Sequence, residues 1–322
     1  MEKTFANFWI RILAFVIDLI VLGLFGIILG LAFKNFFISI DYYSFIIGFA
    51  IFITYFSIGY SKLTKGQTIG KKILNISVID KNGNFLNIFK AFIRALIISL
   101  AFFAIKLQLP NNSKTILILA GIKIFGIALI SAITFLYIFN KYTRQSLHDL
   151  LTKTFVVKTS EIKNFTYNTY YIKPWTYIFT IFLVILISYV YGSFYFKNYK
   201  KYLPLIQIEE KLETLNNVQN AKVYVNELTI YSTKKIHVKS LIVILYLQKL
   251  PHITDINEME KLPLTKKIIS IILTNYKDIQ KLDKITIKFI YGFNLGIAQA
   301  HKTFFISEPI DDWQNLIQSS NK

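Results

Sequence analysis

Five stretches of this chain are almost uninterruptedly apolar over a length that can cross a bilayer. They run from about Phe8 to Phe33, Tyr43 to Tyr60, Ile88 to Leu107, Thr115 to Phe139 and Trp175 to Phe196. Crossing the hydrocarbon core takes about 20 residues at a rise of 1.5 Å each, so each stretch predicts a transmembrane helix. After Phe196 the pattern changes. Leu205–Leu215, following Pro204, predicts a short amphipathic helix, and Ala221–Tyr231 and His237–Leu247 are β-branched and aromatic enough to be strands. Leu264–Tyr276 has apolar residues at helical spacing. Lys284–Tyr291 alternates as a strand, with Ile297–Ile306 as its partner across Gly292–Gly296. The expected fold class is therefore a membrane all-α helical bundle of about five transmembrane helices plus a small α+β two-layer sandwich of order α-β-β-α-β-β.

The organisation that follows is a four-helix membrane domain over 1–160 with a cytoplasmic hairpin loop at 62–87, and a linker at 161–174. A fifth helix at 175–196 and a C-terminal domain at 197–322 complete it. A cleaved signal peptide is the rival reading of the first stretch. That apolar run is too long, contains Arg11 and Asp18, and is followed by no small-x-small cleavage site, so it stays as a membrane helix.

Loop charge sets the expected orientation. Lys34–Tyr42 carries one positive residue and Lys106–Lys114 two, whereas Lys62–Arg94 carries seven and Lys141–Lys173 six. Basic loops face the cytoplasm, which places the N-terminus there, and an odd number of spans then makes the C-terminal domain extracytoplasmic. The expected location is the plasma or inner membrane.

Composition agrees with a part-membrane, part-soluble chain: 54% hydrophobic and 16% aromatic, with a mean hydropathy of +0.46. The formal charge of +19 is concentrated beside apolar spans, so lipid headgroups rather than nucleic acid are the expected partner. The chain is also rich in Ile, Lys and Asn, a bias that raises the lysine content without a selected role. Cysteine is absent, which removes disulfides, zinc thiolates and thiol catalysis.

The candidate chemistry lies in ionisable groups at membrane depth. Arg11 and Asp18 are seven residues apart, hence on one face of the first helix, with Asp18 about 15 Å in. A carboxylate there costs on the order of 2.5–3.5 kcal/mol and needs a partner or water. The candidate partners are Arg94, about 9 Å deep in the third helix, and Lys123, about 12 Å from the far end of the fourth. An interhelical salt bridge, a titratable carboxylate on a cation or proton path, or a buried and permanently neutral acid fits Asp18. His148 and Asp149 adjoin only Ser146 and Thr152, so a catalytic pair is not expected. Asp149 is expected to pair with a basic group at the cytoplasmic mouth, with Arg11 as the candidate. His237, His252 and His301 lack ligand spacing, and neither a metal nor a cofactor is expected. No enzymatic constellation is present.

Three stretches resemble the RDD family of membrane proteins. The first helix reads ANFWIRILAFVIDLIVLG, with Arg11 and Asp18 at the family's spacing. The basic loop reads KLTKGQTIGKKILNISVIDKNG, with Gly66, Thr68, Gly70 and Lys71 in the family's arrangement. The third reads TRQSLHDLLTKTFVV, where Asp149 matches the second aspartate and Thr154 the threonine beyond it. Together they bracket residues 6–157, and the resemblance stops there.

The loop superficially looks like a phosphate-binding loop, but three residues rather than four separate its glycines and Lys72 replaces the required Ser or Thr. Instead Gly66, Thr68 and Gly70 are expected to turn at the membrane face while Lys71 and Lys72 meet lipid phosphates. Asn82-Gly83 predicts a hairpin of Ile73–Asp80 with Asn84–Ile88.

The resemblance implies movement of small solutes, cation–proton exchange above all, with Asp18 as the exchanging group. A pathway through so small a bundle would require a homo-oligomer, and no pair of Gly- or Pro-broken helices supports one. The alternative is a non-transporting anchor or assembly subunit that displays the C-terminal domain to a protein partner or the envelope.

Overall fold

The computed structural model describes residues 4–107, 115–140, 143–165, 174–231, 235–250 and 262–319. Four helices in the N-terminal part are long and apolar enough to cross a membrane. They are α1 (Phe8–Ala32), α3 (Tyr43–Tyr60), α5 (Ile88–Lys106) and α6 (Thr115–Phe139). Short helices fill the connections: α2 (Lys34–Ser39), α4 (Ile69–Ile73) and α7 (Leu147–Thr152). Asn7 caps α1 by accepting from the Ile10 amide at 2.9 Å, and Asn87 caps α5 by accepting from Lys90 at 2.8 Å.

One stripe of α1 is buried: Arg11, Ala14, Asp18, Leu22, Gly26 and Gly30. Those positions recur every three or four residues, so helical periodicity puts the polar pair and the small residues on the same inner face. The opposite face is exposed apolar surface, including Ile20, Leu24 and Ile28, as a lipid-facing helix requires.

The expected hairpin after the basic loop is corrected. Strand β1 (Ile76–Asp80) pairs antiparallel with β2 (Thr154–Lys158), which follows α7. Asn82-Gly83 does turn the chain: Gly83 has φ +80°, and Asp80 accepts from the Asn82 and Asn84 amides at 2.8 and 2.9 Å. The cap of α5 at Asn87 leaves no room for a return strand, and Leu86 makes only an isolated bridge to Ser61. Phe5 also bridges Val157, so the chain start, β1 and β2 gather at one end of the bundle.

Helix α8 (Pro174–Glu213) is 40 residues long and contains Pro204. Its apolar part, Ile178–Phe194, is shorter than the four spans. It lies antiparallel along α6, with Phe179 stacked on Phe135 at 5.0 Å and Gly192 facing Ile124. The expected break at Pro204 does not occur. A proline inside a helix costs about 3 kcal/mol. Leu205, Ile208 and Leu212 beyond it are buried against the C-terminal sheet, each contributing about 1.5–3 kcal/mol, which holds the helix through the defect.

The C-terminal domain is α+β. Its sheet has the order β3-β4-β5-β6, formed by β3 (Val218–Tyr231), β4 (Lys235–Leu247), β5 (Lys284–Asn294) and β6 (Gln299–Pro309). Strands β4 and β5 are parallel, joined through a crossover that contains α9 (Pro263–Asn275). The other two pairings are antiparallel. The end of α8, α9 and a final helix, α10 (Ile310–Ser319), share one apolar core with the sheet, centred on Ile208, Ile269, Phe289 and Trp313. The final helix was not expected from the sequence.

The β5–β6 turn is the junction with the membrane bundle. It sits at the end opposite the chain start, against α1, α2, α3 and α5. Phe293 packs on Gly30, Ala298 on Gly26 and the Leu295 carbonyl on Gly48. Phe37, Ile38, Phe293 and Leu295 form one buried apolar cluster across the junction. Polar contacts flank it: Ser44 Oγ donates to Asn294 O at 2.9 Å, Lys106 Nζ to Gly296 O at 3.1 Å, and Tyr42 Oη to Gln219 O at 2.9 Å.

Candidate functional site

The polar groups of the bundle gather near its loop end in two adjoining sets. The first is centred on Asp149, which lies in the first turn of α7. Ser146 and Asp149 form a reciprocal cap there, in which the Ser146 amide donates to Asp149 Oδ2 at 3.2 Å. That short helix points the carboxylate into the bundle, where Arg11 binds Oδ2 and Arg94 binds Oδ1. Arg94 also donates to Thr154 Oγ1 at 2.6 Å, and Arg11 to the Arg144 carbonyl. Each guanidinium faces an aromatic ring, Arg11 over Tyr137 at 4.5 Å and Arg94 over Tyr60 at 4.8 Å. The sequence motif therefore brings Arg11, Asp149 and Thr154 together, and adds Arg94.

Burial acts to raise the Asp149 carboxyl, but the charges of Arg11 and Arg94 outweigh it and hold the group well below the usual carboxylate range. His148 lies beside this clasp, its Nδ1 3.2 Å from Ser146 Oγ. Burial pushes its ring well below the ordinary histidine value against the pull of Asp149, so it is neutral at physiological pH.

The second set is centred on Asp18, and here both expected partners are corrected. Arg94 is committed to Asp149. Lys123 lines a separate cavity with Lys106 and Lys222 where α5 and α6 meet the C-terminal domain. Asp18 instead accepts from Tyr55 Oη at 2.7 Å, Thr68 Oγ1 at 2.6 Å and the Gly70 amide at 2.7 Å. Among the described residues no cation lies within ion-pair distance of it. Matching basic residues by depth along the spans misses this arrangement, because the donors are neutral: Tyr55 within α3, and Thr68 and Gly70 in the loop after it. That loop folds back into the bundle as α4.

The glycines make that return possible. A Cβ on Gly70 would fall 2.1 Å from the Ala14 carbonyl oxygen, so only glycine lets α4 lie against α1. Gly66, at φ +67°, turns the loop, and its carbonyl accepts from the Val78 amide at 2.9 Å. Thr68 also caps α4, accepting from the Lys71 amide at 3.3 Å.

Lys71 is correspondingly buried inside the bundle, which corrects its expected position at the membrane face, whereas Lys72 is exposed. The Lys71 ammonium lies 5.5 Å from the Tyr60 ring. Burial, reinforced by the charge of Arg94, lowers it to about 7 against the pull of Asp18. Arg11, Lys71, Arg94 and His148 line the polar end of a cavity of about 240 Å³ between α1, α5 and α6.

His237 and His301 are separate, and among the described residues no group of three or more His, Cys, Asp or Glu is placed to hold a metal. His252 lies outside the described residues, as does most of the Lys106–Lys114 loop and the later part of the 161–174 linker.

No curated protein and no solved structure shows significant similarity to the chain. The RDD family model matches residues 5–153, the segment that contains both buried carboxylates, Arg11, Lys71 and Arg94, and all four helices long and apolar enough to cross a membrane. Residues 5–153 are thus similar to the RDD family, and the C-terminal α+β domain lies beyond the match.

Proposed function

We propose that this protein is a membrane-anchored assembly subunit whose RDD bundle seats and presents the C-terminal domain, rather than a cation carrier. The observation that supports it is the β5–β6 turn packed among the end glycines of the bundle, Gly26, Gly30 and Gly48. A tether needs only a flexible linker, whereas this contact fixes the domain's orientation, as presentation to another surface demands. In this reading α8 is a fifth span, the N-terminus is cytoplasmic and the C-terminal domain is extracytoplasmic.

The electrostatics also favour this reading over cation passage. Asp18 is fully buried and bound by three neutral donors, and Asp149 is neutralised by two arginines. A cation approaching either carboxylate would meet Arg11, Lys71 or Arg94 nearby. The test is cation and proton flux in proteoliposomes. The reading expects rates equal to those of protein-free vesicles; a flux abolished by Asp18→Asn in a folded protein would contradict it. Orientation is tested with single cysteines, since the native chain has none. Lys302→Cys should react with an impermeant maleimide in intact cells and Lys72→Cys should not.

A further inference from the structure

The cavity between α1, α5 and α6 has a polar end and an apolar end. Arg11, Lys71 and Arg94 line the polar end, and the buried Nε atoms of the two arginines have no hydrogen-bond partner among the described residues. The Lys71 ammonium likewise has neither a hydrogen bond nor an ion pair there, only the Tyr60 ring. Unmade hydrogen bonds on buried cationic donors cost more than neutral ones, and in a folded protein such donors point to an acceptor that completes them. The local charge has the same sign. Arg11 and Arg94 share the single carboxylate of Asp149, and Lys71 adds a third cation when it is protonated.

The rest of the cavity is apolar, walled by Phe15, Ile98, Phe102 and Ile133, and Ile130 at its edge is 39% exposed on the outer surface of the bundle. Its apolar end thus lies next to the outer surface of the bundle, where the lipid chains lie. At roughly 30 Å³ per water, its volume of about 240 Å³ holds an oxyanion and a short run of methylenes.

We propose that this cavity binds a membrane amphiphile by its singly charged oxyanionic head, of the phosphodiester kind. The head accepts from Lys71 Nζ beside the two guanidinium groups while the first part of the tail lies along the apolar wall. Because the site is in the bundle, it stands whether or not the C-terminal domain presents anything to a partner.

The test uses the full chain in a neutral detergent, titrated with ten-carbon lysophosphatidylglycerol, with lysophosphatidylcholine of the same chain and with inorganic phosphate. Calorimetry and the thermal midpoint give the readouts. Saturable binding of the anionic amphiphile is expected, together with a raised midpoint. The zwitterion and inorganic phosphate should each bind at least about tenfold more weakly. Lys71→Met should weaken binding by about tenfold or more without loss of fold, since it removes a buried charge that has no ion pair. Ile133→Trp, which fills the tail end, should remove binding while Lys71 is intact. Absence of saturable binding would overturn the proposal, as would equal binding to both variants. Inorganic phosphate binding as tightly as the amphiphile would overturn it too, by assigning the site to a free anion.

Discussion

Gly48 of α3 lies directly beneath the Leu295 carbonyl of the β5–β6 turn, so close that a Cβ there would fall 1.6 Å from the oxygen. The C-terminal domain therefore rests on a site with no side chain of its own. Gly48→Leu should unseat the turn while leaving the bundle and the C-terminal domain folded. Spin labels at the exposed positions Asn35 and Lys302 are expected to give one narrow distance distribution in the parent and a broad one in the variant.

Asp149 and Asp18 are both buried carboxylates but differ in what their loss leaves behind. Asp149→Asn leaves Arg11 and Arg94 uncompensated and should cost about 3–5 kcal/mol. Asp18→Asn keeps an acceptor for neutral donors and should cost about 1–3 kcal/mol. Thermal unfolding in one detergent ranks the two, and a larger loss in Asp18→Asn would refute the assignment of the cations to Asp149.

The pairing of β1 with β2 makes Val78 and Val156 register partners. Opposed Cα atoms in an antiparallel pair lie about 4.5–5.5 Å apart, within disulfide range. Val78→Cys with Val156→Cys should oxidise to a crosslink within one chain. Val78→Cys with Leu86→Cys, the pair a local hairpin would bring close, should not.

Lys71 gives the account a pH dependence. Its ordinary value is 10.5 and its folded value about 7, so the unfolded chain binds more protons between them and folding stability rises with pH across that window. Binding of a singly charged phosphodiester goes the opposite way, falling by about tenfold from pH 6 to pH 8 as the ammonium is lost. The facing groups are Arg11 and Asp18 of α1, Tyr60 of α3, Arg94 of α5, Tyr137 of α6, and His148 and Asp149 of α7. Asp149 stays ionised and His148 neutral across this range. Lys71→Met should therefore flatten the binding profile.

The four spans, the α+β domain and the Arg11–Asp149 contact were legible because each depends on local chemistry: apolar length, strand alternation, and an acid two residues into an amphipathic turn. The partners of Asp18 were not. Depth matching looks for a basic residue on another span, whereas α3 offers the neutral Tyr55, and nothing in the composition of GQTIGKK announces that the loop re-enters. Asn82-Gly83 announced a turn correctly, but turn chemistry does not specify what the outgoing strand pairs with, and the Asn87 cap took those residues into α5. Pro204 was a true local break signal overridden by the burial of Leu205, Ile208 and Leu212. The seat of the β5–β6 turn was invisible because its glycines, inside apolar spans, look like ordinary membrane-helix residues.

The central claim is that the polar core of the bundle fastens structure instead of passing cations. The most direct measurement is potassium, sodium and proton flux into proteoliposomes of the wild-type chain, under an imposed gradient and beside protein-free vesicles. The account predicts superimposable traces. A protein-dependent flux that disappears in folded Asp18→Asn would contradict it.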